Sequence, residues 1–179
     1  MKPAQPRDCD GRRGSALVEF AVTAPLLILL AVGTAFAGAS FDRYLALQQL
    51  VRAAANMHSS GTDFSLPEKQ ALLEAAAAGL DLSASGDTVL YLSTVADTPD
   101  GPRLVRRFAV GAAGVGASLL SAAEGQYDGA VIPPAPARID FDLVPGQRVY
   151  VVEAVHDLRG LAPPGTLSED YRLRTRAVF

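Results

Sequence analysis

Apolar positions along this chain change their period twice. From Phe20 to Phe41 there are 22 residues without a charge, bounded by Glu19 and Asp42. At about 1.5 Å per residue a helix over them measures about 33 Å, which matches a hydrocarbon core about 30 Å thick. Past Asp42 the apolar run narrows to a stripe. Leu47, Leu50, Val51, Ala54 and Met57 recur at helical spacing, and Asp42, Arg43, Gln48, Gln49, Arg52 and Asn56 occupy the other faces. The two stretches predict one uninterrupted helix over about 15–58. Its segment from about 20 to 41 is transmembrane, and its outer half must pack on the domain that follows, residues 59–179.

In that domain the pattern becomes mixed. Ser65-Leu66-Pro67-Glu68 has capping-box spacing with proline in the first turn, so a short alanine-rich helix is expected, ending at Gly79. Thr88 to Val95 and Leu104 to Val110 are apolar runs separated by the turn Thr98-Pro99-Asp100-Gly101-Pro102. Ile139-Asp140-Phe141-Asp142-Leu143 alternates, Gln147 to Val155 reads as a buried strand, and Arg172 to Phe179 sets Leu173, Thr175, Ala177 and Phe179 against three arginines. Ile132-Pro133-Pro134-Ala135-Pro136 reads as an extended, polyproline-like connector. The class expected is α+β: a long N-terminal helix, membrane-spanning in its first half, then a small domain with a short helix and an antiparallel β-sheet lying on the outer half of the long helix.

Charge settles the orientation. Lys2, Arg7, Arg12 and Arg13 precede the span, while Asp42 and Arg43 cancel just after it, so the N-terminus is expected in the cytoplasm and the C-terminal domain outside it. The formal net charge of −3, with no basic block after residue 13, argues against nucleic acid as a partner. Cys9, the single cysteine, cannot form an internal disulfide and has no apolar stretch before it of the kind that precedes a lipoprotein cysteine. A secretory signal peptide is the competing interpretation of the N-terminus, with Ala37-Gly38-Ala39 as a small-residue cleavage site before Ser40. Against it stand Glu19 at the mouth of the apolar run and the helical stripe that continues past Ser40.

Gly14, the small or apolar residues Ser15-Ala16-Leu17-Val18, then Glu19, Phe20 and Pro25 further in together resemble the class III leader of TadE/TadF-like minor pilins of the tight-adherence (Flp, type IVc) pilus system. The ending Arg174-Thr175-Arg176-Ala177-Val178-Phe179 also resembles that family. The resemblance implies a minor pilin or pseudopilin whose residues 1–14 form a cytoplasmic leader, cut after Gly14 by a prepilin peptidase. It implies a single-pass subunit of the bacterial inner membrane, carried into a pilus with other pilin and minor pilin subunits by an inner-membrane assembly platform. Its partners are then these proteins and the lipid bilayer, with no enzymatic activity and no cofactor.

The residue types fit that chemistry. Glycine lets a protease approach the scissile carbonyl closely and lets the chain extend beside a helix. A carboxylate well inside lipid costs on the order of 2.5–3.5 kcal/mol, so Glu19 is expected at the surface, neutral or paired. The ammonium created on Ser15 by cleavage is its natural partner, in the same chain or on a neighbouring subunit. Pro25 removes the amide that would bond the Ala21 carbonyl and is expected to kink the helix.

Other chemistry finds little footing. His58 and His156 are far apart with no metal spacing, and no Gly-x-Ser-x-Gly occurs. Gly111, Gly114 and Gly116 are not ordered as a dinucleotide fingerprint and are expected in a flexible loop. Asp140 and Asp142 share a strand face and could meet His156, Asp157 or a calcium ion, but acids on a solvent face opposite Arg172, Arg174 and Arg176 need no metal. The alternative to a pilus subunit is a signal-anchored or secreted extracytoplasmic binding domain unrelated to pili.

Overall fold

The computed structural model describes residues 10–99, 101–120, 128–136, 143–161 and 171–179. The elements are α1 (Asp10–Ser59), α2 (Pro67–Ala76), β1 (Thr88–Thr98), β2 (Gly101–Gly111), β3 (Asp128–Pro136), β4 (Arg148–Asp157) and β5 (Arg172–Val178). They form an α+β fold, a long helix followed by a short one and an antiparallel sheet of order β3-β2-β1-β4-β5. The chain separates into two units, Met1–Ala39 and Ser40–Phe179.

The first unit holds the inner part of α1. Leu17, Val22 and Leu29 are each more than 70 % exposed, and the apolar side chains face outward on every side. Such a helix is stable only where something other than water covers it. α1 is long and apolar enough to cross a membrane. It passes through Pro25 without interruption. It also begins earlier than expected: the backbone is helical from Asp10, so Gly14 and Ser15 lie inside it. The two arginines between Gly11 and Gly14 are good helix formers, and once a helix is nucleated each further residue adds a hydrogen bond at little cost.

In the second unit the predicted stripe is the core. Leu47, Leu50, Val51 and Ala54 are buried with Leu90 and Leu92 of β1, Phe108 and Val110 of β2, and Val152 and Ala154 of β4; Met57 packs at the margin. Burying one such Leu or Val contributes about 1.5–3 kcal/mol, so tertiary packing, more than helix propensity, holds this half of α1 in place. α2 and the turn after it add Leu73, Ala77, Leu80 and Leu82 to the same cluster.

The opposite sheet face is covered by the chain after β2. Val115 packs with Val89, Ala112 and Val155, and Leu120 with Val95, Leu104, Val149 and Val151. A β-bulge makes the second cluster possible. Thr94 pairs with Arg106 and Val95 with Leu104, so Val105 is the extra residue and Leu104 turns to the face opposite Arg106.

Two local expectations need correction, and a third lies almost wholly outside the described residues. The capping box does not form: the N-cap is Leu66, without a side-chain cap, and the Ser65 N–H instead donates to Asp63 Oδ1 at 3.1 Å, an Asx turn that competes with capping. The proline-rich segment is no connector but the greater part of β3, paired to β2 at Ala135 and Pro136. Its register slips between Leu104↔Ala135 and Arg106↔Val131, which leaves Pro133 and Pro134 in the irregular stretch, where an edge strand tolerates a missing N–H. The expected strand from Ile139 to Leu143 lies outside the described residues except for Leu143, which is in a loop.

Candidate functional site

Residues 14–25 lie on the first turns of α1 that follow the basic N-terminal segment. Gly14 opens the group, and Ser15 and Glu19 are four apart, hence on one helix face about 6 Å apart along the axis. Glu19 and Phe20 are exposed, Phe20 by 67 %. One turn on, the Thr23 hydroxyl donates to the Glu19 carbonyl at 2.9 Å. Two residues later Pro25 has no N–H to give to Ala21, so the backbone is weakened just inside the apolar span. The arrangement is one acid at the mouth of an apolar helix, an aromatic residue beside it, and a basic segment before it.

The two histidines of the domain are occupied in holding the fold. His58, near the end of α1, is buried against Phe64, Phe108 and Tyr150, with ring centroids 6.0, 6.3 and 5.0 Å away. Its Nε2 meets the Thr94 hydroxyl at 3.2 Å, and burial pushes its pKa down. His156 is buried on β4 with Nδ1 2.9 Å from the Thr88 hydroxyl and 3.4 Å from Asp87 Oδ1. Burial lowers its pKa too, against the opposing pull of Asp87. Both histidines are thereby held neutral. Thr88, the hydroxyl beside a histidine and an acid, is fully buried, as is His156, and only Asp87 reaches the surface, so neither the hydroxyl nor the imidazole has an open face toward a substrate.

On the other sheet face Arg107 donates from Nε to the Ser93 hydroxyl at 3.0 Å, and Tyr91 donates to the Gly116 carbonyl at 2.7 Å. Glu153 is buried and accepts from the Ser118 hydroxyl. The Arg107 bond ties β2 to β1, and the Tyr91 and Glu153 bonds fasten the segment 112–120 to the sheet. Gly111 and Gly116 thus belong to a packed turn instead of a flexible loop. The sequence signal missed was Val115 and Leu120, apolar residues spaced to cover a sheet. Among the described residues no three His, Cys, Asp or Glu side chains gather as a metal site; Asp140 and Asp142 lie outside those residues.

No curated protein and no solved structure matches the chain. The family model described as TadE-like protein matches residues 14–56. That stretch starts at the candidate cleavage glycine and runs through the apolar span into the stripe that packs on the sheet, so the stem is the part of this chain that is similar to TadE-like proteins.

Proposed function

We propose that the chain is a minor pilin or pseudopilin subunit of a tight-adherence (Flp-type) pilus, anchored by α1 in the bacterial inner membrane with its domain outside the cytoplasm. The observation that carries this is the start of the family match at Gly14, the residue after which a prepilin peptidase cuts in the family resembled. Cleavage there removes residues 1–14 and leaves Ser15 as the new N-terminus. The peptidase needs the site extended, and the helix permits it: Gly11 and Gly14 each weaken a helix by about 1 kcal/mol relative to alanine, close to an end that frays.

Ser15 then carries an ammonium one turn before Glu19. Paired with it, in the same chain or on an adjacent subunit, the carboxylate can enter a bundle of packed helices that would reject it alone. Phe20 adds apolar surface, and Pro25 a point at which the helix can bend as subunits dock. The protein's role is structural: it meets the peptidase, the assembly platform and other pilins, and contributes to adhesion through the filament.

Deleting the gene and counting pili by electron microscopy tests the assignment. Loss of pili and of surface attachment, both restored by the wild-type chain, is expected; full piliation in the deletion strain contradicts it.

A further inference from the structure

Glu153 lies on the face of β4 turned away from the main core, and it is 4 % exposed. Val151 and Val155, two residues to either side, pack on that same face with the chain that follows β2. The carboxylate is half used. Oε2 accepts from the Ser118 hydroxyl, whereas Oε1 has no hydrogen-bond partner among the described residues. A buried acceptor left in that state has given up its water and gained nothing in return, which is why native structures seldom keep one.

A cleft of about 180 Å³ opens at this carboxylate, with Ser118, Leu119, Glu153, Val155, Arg174 and Arg176 in its walls. At about 30 Å³ for each molecule of liquid water it has room for roughly six, more than one unpaired oxygen requires. Leu119 is 59 % exposed, a large apolar side chain beside a polar floor. The walls hold both signs of charge. Arg176 stands across from Glu153 in the β4–β5 register, and Arg174 bonds from Nη1 to the Ala117 carbonyl at 3.0 Å. A cation would meet the guanidiniums and an anion the carboxylate, so the electrostatics favour a neutral ligand. A guanidinium carries five N–H donors, so Arg174 can give one to a ligand oxygen without releasing Ala117.

We propose that this cleft binds the edge of a neutral saccharide. One ring hydroxyl donates to Glu153 Oε1, its vicinal neighbour accepts from Arg174, and the C–H face of the ring covers Leu119. Adjacent hydroxyls supply the donor and the acceptor side by side, and the ring supplies the apolar surface. A primary amide also has both a donor and an acceptor but no ring to lay on Leu119. The glycerol headgroup of a lipid has the diol but neither the ring nor, with its phosphate, neutrality. The inference holds whether or not the leader is cleaved.

The test uses the full chain in micelles of lauryldimethylamine oxide, a detergent without a sugar headgroup, and the methyl α-glycosides of glucose, mannose and galactose. At least one should show saturation transfer by NMR and titrate with a Kd of about 1 mM, the affinity expected for a ligand of that size. Among its monodeoxy analogues, loss of either of two adjacent hydroxyls should weaken binding about tenfold, the factor set by one hydrogen bond to a charged group, and loss of the others should leave it unchanged. Glu153→Gln, which puts an amide donor where Oε1 accepts, should weaken the parent glycoside by about the same factor, and Leu119→Ala, at an exposed position, by about threefold. The deoxy series and Leu119→Ala decide the matter if Glu153→Gln fails to fold. No transfer from any of the three glycosides up to about 10 mM, a deoxy series without an adjacent sensitive pair, unchanged binding by a folded Glu153→Gln or by Leu119→Ala, or tighter binding of propionamide or phosphatidylglycerol vesicles than of the glycoside would each overturn the proposal.

Discussion

Nδ1 of His156 and the hydroxyl of Thr88, register partners on the two central strands, lie 2.9 Å apart with both side chains buried. Burial holds His156 below its ordinary pKa near 6.5, and His58 likewise. Each is neutral when folded and binds a proton more readily when unfolded, so stability is full above about pH 6.5 and falls as the pH drops below it. The slope is at most about 1.4 kcal/mol per pH unit for each histidine. Thermal melts of the domain between pH 7.5 and 5 should show a falling midpoint, and His156→Gln should flatten the slope. A midpoint constant over that range would refute the burial argument. The Arg159 hydrogen bond lowers Asp157 below its own range, and its contribution is lost only at lower pH.

Val51 is 2 % exposed within the core between α1 and the sheet. Val51→Asp places an unpaired charge there and should cost roughly 3–5 kcal/mol, seen as a lower melting temperature and faster proteolysis of the domain in the detergent-solubilised protein. Unchanged proteolysis would mean that this face of α1 does not carry the fold.

Gly111 ends β2 at φ +107°, and a Cβ there would sit 2.2 Å from the Thr88 carbonyl oxygen. Backbone on both sides cannot give way, so Gly111→Ala should destabilise by roughly 1–3 kcal/mol. Gly114→Ala, with open space around its Cα, is the control and should melt as the wild type does.

Glu19→Ala should leave insertion and cleavage intact, since an apolar side chain enters lipid more easily. It should abolish or sharply reduce piliation, because the Ser15 ammonium then lacks its partner among packed helices, at a cost of several kcal/mol. Electron microscopy of a complemented deletion strain decides; normal pili from a cleaved Glu19→Ala subunit would make the acid a bystander at the headgroups.

The long helix and its stripe were legible because the uncharged apolar run from Phe20 to Phe41 passes directly into helically spaced apolar residues as far as Met57. The strands Thr88–Thr98 and Arg148–Asp157 were legible as buried apolar runs. What escaped depended on partners remote in sequence. Ile132 to Pro136 has the composition of a connector, and only its pairing with Arg103 and Leu104 makes it a strand. Ser65 had the right spacing for a cap, but Asp63, two residues earlier, offered its amide a competing carboxylate. The proposed leader site rests on a different kind of signal: a glycine, an acid and an apolar helix in that order form a linear pattern, independent of tertiary contacts.

The N-terminal residue of the membrane-bound protein tests the central claim most directly. Intact mass and N-terminal sequencing of the chain purified from its own membranes should give a protein that begins at Ser15, and Gly14→Val should remain full length in the same membranes. A wild-type chain that keeps residues 1–14, or one that begins near Ser40, would contradict the account.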